Sequence, residues 1–231
     1  MKHIAFVCWA FMLFCLVFFT ARESKAADLE VGIGASQYLK KTDGYWYQDG
    51  FQNNLDLKAP VIEVGVTGPL WRQRNYGLDY HADWVYLGTV HTQAVAVTDD
   101  ANYNTVTKQC NGPCGPQANF VGSGHDQGFA FTLEPYYEYG GWRYAVEAGP
   151  YLHRSTFSEA VYDWRMTFDQ PGRTVYVQTK REWKVSYVVG ASVGKGPFTV
   201  AYQYFSSDAH GDSMSSTVWK GTHVLLLKYK F

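Results

Sequence analysis

Apolar or otherwise uncharged side chains occupy every second position through eight separate segments of this chain, and that alternation constrains the fold more than any other feature. Successive residues of a β-strand point to opposite faces, so a period of two gives each strand one apolar and one polar side. The last segment is the clearest. In His223–Phe231, Leu225, Leu227, Tyr229 and Phe231 share one face while Lys228 and Lys230 take the other. The pattern predicts strands near 28–38, 59–68, 77–87, 127–139, 142–154, 182–194, 197–206 and 221–231. Each is close to the nine to eleven residues, roughly, with which a tilted strand crosses a bilayer.

The two faces differ in the solvent they suit. One gathers residues such as Ile33, Val64, Trp84, Leu133, Val146, Val189, Val200 and Leu227, with no charge among them. The other carries Glu30, Glu63, Asp79, His81, Asp83, Glu134, Glu138, Glu147, His153, Lys184, Gln203, Lys228 and Lys230, which are predicted to form a packed polar lumen. A Lys or Arg facing lipid at the midplane of a barrel costs roughly 2–4 kcal/mol, whereas in the lumen it is hydrated or paired. Hydrocarbon offers no partner to a free amide, so such strands must close on themselves. The predicted fold is therefore all-β: an eight-stranded antiparallel transmembrane up-and-down β-barrel. Its connections alternate, with short turns at Gly68–Tyr76, Gly140-Gly141 and Lys195-Gly196, and long polar loops at 39–58, 88–126, 155–181 and 207–220. Short turns then lie in the periplasm and long loops outside the cell. Pro135 and Pro150 interrupt two strands and predict a bulge, a strand end or a water there.

The start of the chain fits export. Met1-Lys2-His3 is basic, Ile4–Ala21 is almost wholly apolar, and Ser24-Lys25-Ala26 precedes Ala27, which reads as a signal peptide at 1–26 followed by a barrel domain at 27–231. The apolar run is long enough that an uncleaved anchor is the alternative. A net charge of -1 gives no electrostatic footprint for nucleic acid. Aromatics make up 17% of the chain, including 18 tyrosines and 8 tryptophans, which suits a surface that meets lipid headgroups at two levels. Cys110 and Cys114 are the only cysteines after residue 26 and predict a disulfide stapling a loop tip. A metal there would need further ligands, and the closest histidines are His91 and His125.

The leader, the eight alternating segments, the long loops and the terminal Tyr229-Lys230-Phe231 resemble the small eight-stranded outer-membrane β-barrels, the superfamily of the OmpA membrane domain, OmpX, OmpW and PagL. The likeness spans the whole chain after the leader. It implies the outer membrane as location, lipid and lipopolysaccharide as surroundings, and Tyr229 and Phe231 as the signal read by the barrel assembly machinery. It implies no single activity, because these folds host adhesins, anchors, narrow pores and lipid-modifying enzymes.

The candidate chemistries are few. PagL is a lipid A deacylase with His and Ser two apart, followed by Asn; here His210 and Ser213 are three apart in Ser206–Ser213, no Asn follows, and no Glu occurs after Glu182. Activating a serine needs a base within hydrogen-bond reach and a group to orient it, so no catalytic residue is assigned and a hydrolase stands as an alternative. An eight-stranded barrel is just wide enough for its side chains to fill it, which sets a narrow cation pore behind a packed lumen. Thr98-Asp99-Asp100 with Asn102 and Asn104 lacks the spacing of a calcium loop, and neither a cofactor nor a metal is expected. The expectation is a non-enzymatic surface protein that binds an extracellular ligand of unknown nature through loop aromatics, chief among them Tyr45, Trp46, Tyr47, Trp164 and Trp219. Phe51, Tyr103, Phe120, Tyr162, Phe168 and Met214 belong to the same set.

Overall fold

The computed structural model describes residues 27–40, 53–98, 102–104, 106–107, 109–178, 183–207 and 219–231. Its strands are β1 (Asp28–Lys40), β2 (Asn53–Asp56), β3 (Lys58–Arg72), β4 (Tyr76–Val97), β5 (Tyr103–Asn104), β6 (Gln109–Cys110), β7 (Gln117–Tyr139), β8 (Trp142–Trp164), β9 (Arg173–Gln178), β10 (Trp183–Lys195), β11 (Phe198–Phe205) and β12 (Trp219–Lys230). β1, β3, β4, β7, β8, β10, β11 and β12 pair antiparallel in that order, and β12 returns to pair with β1. The sheet therefore closes as an eight-stranded ring. All eight segments of alternating sequence are strands of this ring.

Short connections gather at one end. Gly140 and Gly141, with φ of 61° and 78°, make a two-residue turn between the paired Tyr139 and Trp142. Both positions need positive φ in a type I′ hairpin, and glycine reaches it without a Cβ clash. Gly196-Pro197 closes β10–β11 between Lys195 and Phe198 with positive φ at Gly196 alone, at 62°, since the proline ring holds Pro197 at negative φ. The start of β1 and the end of β12 lie at this end too, with Glu30 opposite Lys230.

The opposite end corrects the sequence reading. β4, β7 and β8 are 22, 23 and 23 residues long, about twice the length a tilted strand needs to cross hydrocarbon. Much of 88–126 and 155–181, expected as loop, instead continues these strands, with β9 added beside β8 and β2 beside β4. The strands keep alternating but their polarity inverts. In the lower part Leu133 and Val146 point out while Glu134 and Glu147 are buried; further up Gln117 and Asn119 are exposed while Ala118 and Phe120 are buried. The outer positions of the upper part are mostly polar, with Gln93, Gln117, Asn119, Ser123 and Ser158 among them, interrupted by Val121, Ala160 and Tyr162. On β4 the change of level coincides with a bulge between Tyr86 and Thr89, where Gly88 takes φ 82°. A Cβ on Gly88 would lie 2.2 Å from the Pro60 carbonyl oxygen, so the bulge depends on glycine.

The exterior of the lower part is that of a membrane protein. Leu29, Ile33, Ile62, Val64, Leu133, Val146, Val189, Val200, Leu225 and Leu227 are all exposed, and every other residue assigned to the lipid face is exposed or half-exposed. Aromatic rings edge this band at both levels: Trp71, Tyr76, Tyr137, Trp142, Tyr144, Phe198 and Tyr229 near the short turns, and Trp84, Tyr86, Phe129, Trp183 and Tyr204 above. Pro135 and Pro150 cause no bulge. The register of β7 on β8 is unchanged from Ala130↔Tyr151 through Leu133↔Ala148 to Tyr136↔Ala145, and pairing lapses beside each proline, as a missing ladder donor requires.

Candidate functional site

The bore holds two layers of opposite character. Nearest the short turns, inward positions of the ring bring acids and bases together. Lys228 Nζ lies 2.5 Å from Glu63 and 3.4 Å from Glu30. Arg143 joins Asp79 at 2.9 Å and Glu134 at 2.6 Å, and its guanidinium lies 3.7 Å from the centre of the Tyr136 ring. His81 sits between Glu30, at 3.7 Å, and Glu134, at 3.5 Å. Gln203 donates to Glu147 at 2.8 Å, and Thr132 donates to the same carboxylate at 3.3 Å. A cavity of about 300 Å³ opens among these groups beside Gly141 and Gly196.

Above this layer Tyr38, Val61, Val85, Leu87, Val90, Tyr151, Phe205, Trp219, Val224 and Leu226 fill the bore with apolar side chains. The packed lumen of the sequence reading is thus polar only in its lower part. Asp126, fully buried, pins the boundary: it accepts from Tyr151 Oη at 2.7 Å, from His153 Nδ1 at 2.8 Å and from Ser155 Oγ. Its own amide donates to Tyr38 Oη at 3.1 Å, and Tyr38 donates to the Gly88 carbonyl at 2.9 Å. A buried carboxylate with several donors is satisfied rather than reactive.

Most predicted lumen residues are where the alternation put them. Glu63, Asp79, His81, Asp83, Glu134, Glu147, His153 and Lys228 are buried. Two are corrected. Glu138 is exposed, because it lies at the strand end beside the Gly140-Gly141 turn and only borders the cavity mouth. Lys184 is half-buried near the top of its strand, opposite His153, away from the carboxylates of the lower layer. Sequence reasoning missed Asp126, Arg143, Tyr151 and Ser155. Counting back by twos from Glu134 along β7 reaches Asp126, and forward from Arg143 along β8 reaches Tyr151 and Ser155; Asp126 and Ser155 lie one residue beyond the predicted strands, whereas Arg143 and Tyr151 lie within one, on the inward phase that Glu147 and His153 already mark.

The loop aromatics are redistributed. Trp219 is a core residue, fully buried, with its ring 5.0 Å from Tyr38 and 6.0 Å from Phe157; β12 begins at Trp219, two residues before the predicted strand, which carries the side chain inward. Trp164 packs against the small upper cluster of Ala94, Ala96, Ala118, Phe120 and Val161. Tyr103 and Phe120 are also buried, whereas Tyr162 and Phe168 are exposed. Tyr45, Trp46, Tyr47, Phe51, His210, Ser213 and Met214 lie outside the described residues. Cys110 and Cys114 are bonded to each other, with Cα atoms 5.4 Å apart, in the tip that follows the β5–β6 hairpin. That tip is tied down by Thr98, which bonds the carbonyls of Pro116 and Arg165.

Beyond the uncharged outer band the strands continue as a five-stranded sheet, β2–β4–β7–β8–β9, with Val161, Phe120 and Ala94 on its inner side. Glu159 is half-buried on the same side, and desolvation pushes its carboxyl up to about 7. Tyr229 and Phe231 remain exposed on the outer wall, their rings 4.8 Å apart.

No family model and no curated protein matches the chain. Among solved structures it is similar to Ail, the attachment invasion locus protein of Yersinia pestis, at 14% identity over 89% of this chain and 99% of that one, with a TM-score of 0.34. The complex of Ail with the heparin analogue sucrose octasulfate gives 15% identity over 89% and 99%, with a TM-score of 0.36. The backbone structure of Ail in a phospholipid bilayer nanodisc gives 14% over 89% and 100%, with a TM-score of 0.28. At this distance such likeness says nothing beyond the fold, and the strands themselves say more. Eight antiparallel strands closed on themselves, short turns at one end and an uncharged outer band make the protein a small eight-stranded up-and-down β-barrel.

Proposed function

We propose that the protein is a non-enzymatic barrel of the outer membrane whose extracellular sheet is its interaction element. One observation carries this reading: the polarity of β4, β7 and β8 inverts partway along each strand while the alternation continues. The lower part is built for lipid and the upper part for water, so the barrel serves as an anchor for the sheet above it. The apolar filling of the bore supports an anchor rather than a conduit. Residues 1–26 act as a leader cleaved after Ala26, and Tyr229 with Phe231 present the terminal aromatic face to the assembly machinery. Surrounding lipopolysaccharide and an extracellular ligand are the partners.

The test is topological and functional together. A cysteine at Asn119 reacts with a membrane-impermeant maleimide on intact cells, while one at Gly196 reacts only after permeabilisation. Replacing 90–122 and 156–178 by short turns leaves the barrel folded and abolishes attachment or ligand capture. Labelling of Gly196→Cys alone on intact cells, or full binding by the trimmed barrel, refutes the reading.

A further inference from the structure

The outward face of the projecting sheet has a composition that its inner side does not explain. Pairing sets Asn54, Gln93, Val121, Ala160 and Tyr176 side by side across all five strands. Two residues along, Val95, Asn119 and Tyr162 form the next row. Tyr176 is 72% exposed, Tyr162 43% and Val121 42%, and Gln93 and Asn119 are exposed as well. Neither row contains a charged residue; Asp56 lies at the lower edge, and Asp163 and Arg173 at the far tip. Buried apolar contacts hold the opposite side, so fold stability does not demand two bare tyrosines here.

Each group on this face has one kind of complement. A tyrosine ring offers a negative, flat surface, which suits the weakly positive C–H face of a pyranose. Asn and Gln each offer a donor and an acceptor, matching sugar hydroxyls, which are both. A polyanion needs Lys or Arg for paired, charge-assisted bonds, and the rows supply none. The face is also the upward continuation of the wall that meets lipid, so what stands against it is the molecule whose acyl chains lie below. We propose that this face binds the uncharged sugars of the surrounding lipopolysaccharide, with Tyr162 and Tyr176 stacking on saccharide rings and Gln93 and Asn119 bonding their hydroxyls. The proposal rests on the reading that the sheet stands outside the cell.

The experiment titrates the detergent-solubilised full barrel with the lipid-free core oligosaccharide of the bearing strain's lipopolysaccharide, released by mild acid, dephosphorylated and freed of acidic fragments by anion exchange. Saturable binding is expected. Tyr162→Ala and Tyr176→Ala each weaken it at least tenfold, while Tyr176→Phe, which keeps the ring, stays within threefold. A heat-dependent gel shift confirms that each variant is folded, as these substitutions are exposed. No saturable binding to wild type overturns the proposal. So does binding unchanged by both alanine variants, or a heparin fragment that binds more tightly than the core oligosaccharide. Any of these together with surface labelling at Asn119→Cys removes the sugar assignment and leaves the surface reading standing; absence of that labelling removes both.

Discussion

Asp126 shows how much can depend on one side chain in a bore this narrow. Its carboxylate holds Tyr151, His153 and Ser155, and its amide holds Tyr38. Asp126→Ala strands three buried polar groups at once, each costing about 1–3 kcal/mol when left unsatisfied. The variant is expected to lose about 3 kcal/mol or more in urea unfolding from lipid vesicles; a loss below about 1 kcal/mol would show that waters replace the carboxylate. Glu159 acts in the other direction. Its folded pKa of about 7 lies above the ordinary carboxylate value because burial disfavours the charge. The folded state therefore binds the proton more tightly than the unfolded one, and stability falls as pH rises from about 4.5 to about 7, then levels off. Protection factors for amides of the projecting sheet should drop between pH 5 and pH 8, and Glu159→Gln should flatten that dependence. An unchanged profile in the variant would assign the pH effect elsewhere.

At the scale of the strand, one rule accounts for both the success and the failure of reading the sequence. Period-two alternation between uncharged and charged residues located all eight ring strands, because lipid outside and ion pairs inside differ sharply in side-chain chemistry. It stopped at Leu87, Gln127 and Arg154, where the solvent outside changes. Beyond these points most inner positions are Ala, Gly, Val or Phe, with Thr92, Asp126, Ser155 and Glu159 among them, the outer ones mix Gln, Asn and Ser with Val95, Val121, Ala160 and Tyr162, and the Gly88 bulge shifts the phase of β4, so a search for lipid-facing strands ends there. Trp219 was misplaced for a related reason: a tryptophan beside Lys220 and Gly221 looks like loop until its strand is seen to begin there. The same rule makes a mutational prediction. Leu227→Lys points a charge at hydrocarbon and is expected to cost roughly 2–4 kcal/mol, whereas Gln93→Lys, outward on the projecting part of β4, should cost less than about 0.5 kcal/mol. Equal costs in vesicle refolding would contradict the change of solvent along the strand.

The whole molecule divides along its axis into an anchor, a plug and a platform. The polar layer at the short-turn end leaves a cavity of about 300 Å³, but the apolar layer above it spans the bore from Tyr38 to Leu226. Planar bilayers containing the purified protein should show no conductance above leak; discrete steps would mean that the plug opens. The long strands then have a simple purpose, since a sheet growing directly out of a closed ring inherits its rigidity. What the projecting sheet binds was not legible in the alternation, because that pattern reports solvent and recognition lies in the few side chains that solvent leaves unconstrained. The claim beneath all of this is that lipid bathes the outside of the lower ring, and nitroxide labels scanned singly through 224–229 test it most directly. Leu225, Leu227 and Tyr229 should be relaxed by oxygen, which concentrates in hydrocarbon, and sheltered from a water-soluble nickel chelate, with Val224, Leu226 and Lys228 poorly reached by oxygen. Strong relaxation of labels at 225 and 227 by the nickel chelate would mean that water lies against that wall, and the account would fail.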